Sequence, residues 1–381
     1  MGENITIAAV QMDAALASTA DRLARAEQLV TEAAAAGAQL VVLPELFNVG
    51  YGYSDENYCR AERPDGPTAA WMRETAARLG VHLAGSLMLL DQDDVYNGLL
   101  LWSPDGRVWR YDKQYPWAWE RAYFRGADRI TVAETDLGAI GMLICWDAGH
   151  LGLWRRYAGR VDLMVVVSCP PNVGEPTYHF PDGAALTFDD MGPLMGGMKG
   201  SAGRVFGEMI EQQAAWLGVP VVNTVGSGHI RTPIPNGLAS FLSFVPLAPW
   251  LIRYLPQAHG MEMACDMTPG TKVVGADGRV LAALSQEQGE SFAIAAVTLP
   301  DERPSPSGKT QPASPLSPLV YFASDVVLPA LSVPVYRRGL RQAWGERMAP
   351  VHASMRRWSA VLGLGVVVGV LMGWLWKRRR S

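Results

Sequence analysis

With 381 residues, 49% of them apolar and 18% charged, the chain is long enough for one large domain or two ordinary ones and too apolar for a disordered protein. Its net charge of -4 supplies no basic field for nucleic acid, so we expect no nucleic-acid partner. Four widely spaced cysteines form no CxxC pair and have no interleaved histidines, which excludes the patterns of a disulfide framework and of a zinc site. We therefore predict a protein of a reducing compartment that uses no metal and no cofactor.

Apolar strands and helices alternate along the first 300 residues. The opening ITIAAVQM predicts a buried strand, and the following segment from Thr19 has the apolar spacing of a helix. LVVLPELF predicts a second strand that ends at Pro44. Later predicted elements are a helix over 69–79, the strand VHLAGSLMLL, the hairpin NGLLLWSPDGRVWRYDK, the strands AIGMLICWD and VDLMVVVS with a helix between them, the helix and strand EMIEQQAAWLGVPVVNTVG, and a closing hairpin of VVGADGRVLAAL and SFAIAAVTL. This alternation predicts an α/β layered domain.

Several stretches break the alternation. Residues 174–204 are rich in glycine, methionine and proline and show no clear period. Residues 229–262 are apolar, aromatic and interrupted by prolines, which is typical of an insertion in contact with lipid. Residues 301–318 are rich in proline and serine and predict a linker. After it, residues 319–357 are amphipathic and basic, which indicates an interfacial juxtamembrane segment.

An uncharged segment of nineteen residues runs from Trp358 to Trp376, with arginines before it and the basic tail 377–381 after it. As a helix it would be about 28 Å long, close to the roughly 30 Å of a bilayer core, and tryptophans stand at both of its ends. We predict a transmembrane helix over 358–376. The glycines at 365, 369 and 373 share one face and permit close helix pairing, hence a dimer. Because no signal peptide is evident and arginines precede the segment, we expect a single C-terminal anchor in a bacterial-type inner membrane, with the catalytic domain on the cytoplasmic side.

Four residues stand out for their chemistry: Glu45 in LPELF, Lys113 in YDKQYPW, Glu120 in PWAWERAYFRG and Cys145 in GMLICWDAGH. Taken singly, each has a simpler explanation. A carboxylate at a strand end is more often solvated, and a cysteine in an apolar strand is more often core packing. Their combination and order are far more specific.

With the AVQM start, the LPEL strand end, the lysine before PWxWExxxFxxG and the IGMLICWD turn, residues 5 to 300 resemble the carbon–nitrogen hydrolase (nitrilase) superfamily. The resemblance implies a four-layer αββα sandwich over residues 1–300, a homodimer, and a catalytic set formed by Glu45, Lys113, Glu120 and Cys145. It also implies an amidase that forms a thioester on its cysteine. The C-terminal transmembrane helix and the insertion 229–262 depart from the family pattern.

The chemistry of acyl transfer accounts for these residue types. A thiol becomes a strong nucleophile only as thiolate, so Cys145 needs a base, which Glu45 supplies. Lys113 and the backbone N–H of Trp146 would stabilise the oxyanion, and Glu120 would hold Lys113 or the attacking water. Substrate-pocket candidates are Trp117, Trp119 and Asp147. His150 is interpreted as a packing residue rather than a Cys–His partner, and Asp189 and Asp190 lack the partners of a metal site.

The substrate stays open between two classes. If apolar segments flank the pocket at a bilayer, a lipid-like acyl amide is favoured over a water-soluble amide or nitrile. The alternatives to hydrolysis are an acyltransferase that uses the same thioester, and a non-catalytic membrane scaffold.

Overall fold

The structure is a computed structural model that describes residues 4–172, 177–192, 199–306 and 308–344. Its strands, in chain order, are β1 (Asn4–Asp13), β2 (Leu40–Val42), β3 (His82–Asp91), β4 (Asp94–Trp102), β5 (Val108–Asp112), β6 (Val132–Thr135), β7 (Gly138–Ile144), β8 (Leu163–Ser168), β9 (Thr177–His179), β10 (Ala185–Leu186), β11 (Val221–Ser227), β12 (His229–Pro233), β13 (Glu262–Asp266), β14 (Lys272–Val274), β15 (Val280–Ala283) and β16 (Ser291–Thr298).

The helices follow the capping signals of the sequence. In the first one the Ser18 hydroxyl accepts from the Asp21 N–H, and in the third one Pro67 starts the helix and Gly80 ends it at φ 66°. The α-helices are α1 (Thr19–Ala35), α2 (Asn57–Arg60), α3 (Pro67–Leu79), α4 (Leu151–Tyr157), α5 (Ser201–Arg204), α6 (Ile210–Leu217), α7 (Gly237–Leu242) and the C-terminal helix Pro318–Trp344; 3-10 turns are Ala118–Ala122, Cys145–Gly149, Pro249–Gly260 and Gln286–Gln288; π-helical turns are Val205–Met209 and Ala323–Val327.

Two six-stranded sheets form the centre of the domain. The first has the order β16-β1-β2-β3-β4-β5 and the second the order β15-β14-β11-β8-β7-β6, and they join where Met12 and Asp13 of β1 pair with Gly226 and Ser227 of β11. Helices α1 and α3 pack on the outer side of the first sheet, and α4 and α6 contribute buried residues to the core of the second. Helices thus cover the outer side of the two joined sheets, and the predicted layered α/β sandwich is confirmed.

Residues 229–262 form structured surface elements of the domain. They begin with β12, continue through α7 and the turn Pro249–Gly260, and reach β13, which pairs with β12 in a small sheet of order β10-β9-β13-β12. The indole N–H of Trp119 donates to the hydroxyl of Ser240 on α7 at 3.0 Å, so the insertion is tied to the 3-10 turn Ala118–Ala122.

The C-terminal helix lies against the same surface. The Tyr336 hydroxyl donates to Asp94 at 2.8 Å and accepts from the Val95 N–H at 3.0 Å. A β-carbon at Gly339 would collide with the ring of Tyr58, so helix and domain pack as closely as glycine allows. Before the helix, Gln311 of the predicted linker 301–318 donates to Gln213 at 2.8 Å, which holds this stretch on the domain surface.

Within the described part of the chain, Pro318–Trp344 is a helix long and apolar enough to cross a membrane, with a mean hydropathy of 1.5 and 33% of its most apolar window buried. The criterion is one of length and composition, which buried helices of soluble proteins also meet. The predicted transmembrane helix 358–376, the basic tail 377–381 and residues 345–357 of the predicted juxtamembrane segment lie outside the described residues.

Candidate active site

Cys145 stands on a sharp turn directly after β7. All but the first residue of this strand are buried, and the chain then enters the 3-10 turn Cys145–Gly149. Cys145 itself has φ 50°, a left-handed backbone conformation that costs a residue with a β-carbon about 1–3 kcal/mol. Such a strained turn at the end of a strand projects the side chain away from the sheet, as in the nucleophile elbow of the α/β-hydrolase fold. The side chain remains 4% exposed.

Glu45, Lys113 and Glu120 form a buried ionic cluster. The Lys113 ammonium lies 2.8 Å from a Glu45 carboxylate oxygen and 2.6 Å from a Glu120 carboxylate oxygen, and all three side chains are at most 1% exposed. Each comes from a different element: the turn after β2, the residue after β5, and the 3-10 turn Ala118–Ala122. Two of the three ammonium hydrogens can be used by these carboxylates, so one is left for another acceptor.

The turn that carries Glu45 is fixed from behind. β2 ends at Val42, earlier than the sequence predicted, because Pro44 has no N–H to continue the ladder. Leu46 then takes φ 51°, and the buried Arg22 guanidinium donates to the Phe47 carbonyl at 2.6 Å. The strained backbone at Leu46 and the contact of Arg22 with the Phe47 carbonyl fix the turn, which thereby fixes the Glu45 carboxylate.

Further hydrogen bonds fix the two carboxylates. Glu45 accepts from the Asn97 amide and from the Cys169 backbone N–H, each at 2.7 Å. Glu120 accepts from the Tyr51 hydroxyl at 2.8 Å. The cluster is therefore oriented before any ligand binds, as a preorganised site requires.

Burial dominates the protonation of these groups. It raises the pKa of the Cys145 thiol well above its usual range, an effect that the Glu45 charge increases and the Lys113 charge opposes. Burial also raises the pKa of Glu120 to about 7, although Lys113 acts in the opposite direction. Burial would lower the pKa of Lys113, but the two carboxylates outweigh it and the pKa rises, so Lys113 stays charged. The thiol thus rests protonated and needs a base.

A cleft of about 460 Å³, including its open mouth, lies beside Cys145. Of the predicted site residues, Glu120, Cys145, Trp146 and Trp117 line it. The lining is mostly apolar, and its members are Tyr51, Trp117, Glu120, Cys145, Trp146, Pro170, Pro171, Ser201, Ala202, Phe206, Val320 and Ser324.

Two predicted pocket residues lie elsewhere. Trp119 is 2% exposed and packs between Tyr53 and the insertion. Asp147 is fully buried and accepts from the Tyr111 hydroxyl at 2.7 Å and the Tyr115 backbone N–H at 2.8 Å, so it supports the turn after Cys145. Neither lines the cleft.

His150 packs by stacking on the Tyr115 ring, with centroids 3.6 Å apart. Asp189 forms an ion pair with Lys199 at 2.5 Å. No group of three metal-ligating side chains occurs among the residues that the structure describes.

Sequence reasoning missed several residues of the site. Tyr51 and Asn97 contact the ionic cluster, and their signals, an aromatic GYGY run after Glu45 and an Asn-Gly pair, are too common to stand out. Val320 and Ser324 come from the C-terminal helix, far along the chain from the other lining residues.

Comparison with known proteins agrees with this geometry. Residues 6–187 match the family model described as carbon-nitrogen hydrolase. The chain is 32% identical to a nitrilase of Pyrococcus abyssi over 148 residues, which are 38% of this chain and 56% of that protein. It is 33% identical to an omega-amidase of Danio rerio over 153 residues, 37% of this chain and 54% of that protein. The chain thus spans about half the length of the curated relatives it matches.

Two solved structures share the fold. The amidase from Nesterenkonia sp. is similar with a TM-score of 0.56 and 19% identity, covering 80% of this chain and 93% of that one. A CN-hydrolase superfamily protein from Xanthomonas campestris is similar with a TM-score of 0.54 and 20% identity, covering 78% and 91%.

Proposed function

We propose that this chain, whose residues 6–187 match the carbon-nitrogen hydrolase family model, is a cysteine-dependent amidase that cleaves a non-peptide C–N bond. The observation that carries the proposal is Cys145, strained on its turn and lining a cleft beside the buried ion cluster of Glu45, Lys113 and Glu120. A mutant of the Nesterenkonia amidase, which shares the fold, has been seen with acrylamide added at its active-site cysteine.

In the proposed reaction Glu45 takes the thiol proton as the Cys145 sulfur attacks the amide carbonyl carbon. The carbonyl oxygen becomes an oxyanion that accepts from the third Lys113 hydrogen and from the Trp146 backbone N–H, each donor contributing on the order of 3 kcal/mol. Glu45 returns the proton to the nitrogen, the C–N bond breaks, and the amine leaves a thioester on Cys145. Water, deprotonated by Glu45, then attacks the thioester, releases the acid and restores the thiol.

Glu120 would act through Lys113. Its carboxylate lies 2.6 Å from the ammonium and is itself fixed by Tyr51, so it holds the cation where the oxyanion would form. Glu120 is therefore a positioning residue in this proposal.

The thioester is tested by intact mass spectrometry. The protein is mixed with hexanamide, quenched in acid and weighed, and an adduct of the acyl mass that hydroxylamine removes is mapped by peptide analysis. We expect a single adduct on Cys145, none in Cys145→Ala, and no loss of adduct in the control Cys265→Ala, whose buried cysteine lies in the small sheet. Near-normal amide hydrolysis by Cys145→Ala would refute the mechanism.

We further propose a lipid-like acyl amide as the substrate. The cleft lining is mostly apolar, and exposed large apolar side chains gather on two neighbouring segments. Of the fourteen such side chains among the described residues, five lie in the insertion 229–262 and four on the C-terminal helix: Leu238, Leu242, Leu247, Trp250, Ile252, Leu319, Phe322, Val326 and Trp344. Exposed apolar surface of this kind marks a contact with a membrane or a partner, and an adjoining apolar segment at 358–376 favours the membrane.

Vesicle assays test this substrate. In full-length protein reconstituted in vesicles, kcat/KM for hexadecanamide should exceed that for acetamide. In the double variant Trp250→Ser/Ile252→Ser, kcat/KM for hexadecanamide should fall at least about tenfold, which corresponds to about 1.4 kcal/mol. The control Val280→Ser/Leu281→Ser removes side chains of similar exposure on β15 and should change neither rate. Equal rates for both amides would refute the lipid substrate.

For location, we propose a single anchor at 358–376 in a bacterial-type inner membrane, with a homodimeric catalytic domain on the cytoplasmic side. The supporting features are the arginines before the segment and the glycine spacing within it. Protease added to oriented vesicles should cleave the domain only from the cytoplasmic face, and cleavage only from the other face would reverse the assignment.

A further inference from the structure

The C-terminal helix brings one polar side chain into the cleft. The Ser324 hydroxyl is 1% exposed and has no hydrogen-bond partner among the residues that the structure describes. Its residue lines the cleft together with Cys145. Burying a hydroxyl without a hydrogen-bond partner costs free energy. A ligand atom bound in the cleft would supply the missing partner.

The position of Ser324 is fixed relative to Cys145. The neighbouring Asp325 accepts from the Trp146 indole N–H at 2.7 Å. The Tyr321 hydroxyl donates to the Gly149 carbonyl at 2.5 Å. Both contacts reach the 3-10 turn that begins at Cys145, so the helix and the nucleophile turn form one rigid unit.

Ser324 and Asp325 lie in the π-helical turn Ala323–Val327. A π-helical turn interrupts the regular α-helical ladder, and such interruptions occur frequently at functional sites. The distortion of the helix thus coincides with the cleft and with its unpaired hydroxyl.

The surroundings select the chemistry of the partner. The nearby lining from Trp146, Phe206 and Val320 is apolar, and a serine hydroxyl carries no charge. The charges of the buried cluster are paired within it, because Lys113 contacts both Glu45 and Glu120. A hydroxyl in this setting suits an uncharged hydrogen-bonding atom and offers nothing to compensate a carboxylate or an ammonium group.

We propose that Ser324 is a substrate-binding residue that hydrogen-bonds an uncharged polar atom, such as an ether, ester or amide oxygen, in the acyl part of the substrate. The inference rests on the proposed amidase site and adds to it a specificity determinant from beyond residues 6–187. Without the C-terminal helix the acyl site is incomplete.

The test measures binding apart from turnover. In the Cys145→Ser protein, dissociation constants are measured for hexanamide and for isosteres in which one methylene is replaced by an ether oxygen at successive positions. We expect one isostere to bind about tenfold more tightly than the others, because the hydroxyl meets the oxygen at one depth only. Adding Ser324→Ala should reduce that preference to less than about twofold.

Ser332→Ala is the matched control. Ser332 lies on the same helix, is fully buried and donates to the Leu328 carbonyl at 2.8 Å, so its loss should leave the preference for the isostere intact. In the unliganded protein Ser324→Ala should have an equal or higher Tm, since it removes an unpaired hydroxyl, and Ser332→Ala a slightly lower one.

Equal binding of all isosteres, a preference that survives Ser324→Ala, or a Tm lowered by several degrees in that variant would overturn the proposal. Hydrolysis by the protein with Cys145 intact is scored separately. Ser324-dependent binding without any hydrolysis would refute the amidase and uphold the binding residue, and hydrolysis without Ser324-dependent binding would do the reverse.

Discussion

Replacing Lys113 by methionine tests the buried ion cluster, because it removes the cation and keeps most of the side-chain volume. Two carboxylates, Glu45 and Glu120, would then face each other with the ammonium gone, at exposures of 0% and 1%. Removing one partner from a buried ion pair costs about 3–5 kcal/mol when the remaining charge cannot be neutralised. Here it can be neutralised by a proton, so the cost depends on pH.

The pKa of Glu120 is already raised to about 7 by burial against an ordinary value of 4.5, and Lys113 works to lower it. Without the cation this pKa rises further. A carboxyl whose pKa is raised by folding contributes stability below its unfolded value and loses it as the pH rises through the folded value, at about 1.4 kcal/mol per pH unit. Because the pKa of Glu120 in the unmodified protein is already about 7, the two proteins lose stability in parallel below that pH and diverge only above it. The free-energy cost of Lys113→Met should therefore be larger near pH 8 than near pH 5 by about 1.4 kcal/mol.

Urea and thermal unfolding of the full chain in one detergent buffer, at both pH values, measure this difference. Lys272→Met is the control, since Lys272 is also buried and lies 2.6 Å from Glu211, but that carboxylate is 34% exposed and can be rehydrated. Its cost should stay below about 2 kcal/mol and change little with pH. If Lys113→Met lowers the free energy of unfolding by the same amount, within about 1 kcal/mol, at both pH values, protonation of Glu120 does not offset the loss of the cation and the prediction is refuted.

Three further predictions follow from backbone strain, close packing and the protonation of the cluster. Since Cys145 has φ 50°, Cys145→Gly should be more stable than Cys145→Ala by about 1 kcal/mol in thermal unfolding, and the opposite order would mean that the turn is not strained. Gly339→Ala should cost about 1–3 kcal/mol and expose the C-terminal helix to protease because its methyl meets the Tyr58 ring, whereas Gly152→Ala, with open space around it, should be neutral or stabilising. If ionised Glu120 is needed to hold Lys113, kcat/KM should rise with pH through about 7, and Glu120→Gln should lack this step; an unchanged profile would contradict the role.

The layered fold could be predicted because its strands carry their own signal. β7 and β8 are continuous apolar runs bounded by turns, so their identity and order follow from periodicity. The gathering of Glu45, Lys113, Glu120 and Cys145 in space needed more than periodicity. Spacing alone would have left Cys145 as a packing residue, and the family resemblance supplied the juxtaposition that the structure shows.

The parts that escaped prediction depend on contacts between distant residues. An amphipathic pattern shows that residues 319–344 have an apolar face but not whether lipid or protein covers it, and the structure packs part of that face on the domain. Asp147 was predicted to line the pocket because it lies two residues after Cys145. The turn after Cys145 instead directs its carboxylate towards Tyr111, behind the site. The π-helical turn around Ser324 leaves no recognisable mark in the sequence.

The pairing of β16 with β1 sets the order in which a newly made chain can fold. Asn4 pairs with Thr298 and Gln11 with Ser291, so one edge of the first strand stays open until almost the whole domain has been synthesised. A fragment that ends at residue 187 would lack β11 and β14 to β16 and would expose unpaired edges of both sheets, which invites aggregation. The stretch that carries the family signature is therefore not a unit of folding: all four residues of the ion cluster and nucleophile can leave the ribosome well before the scaffold that holds them together can close.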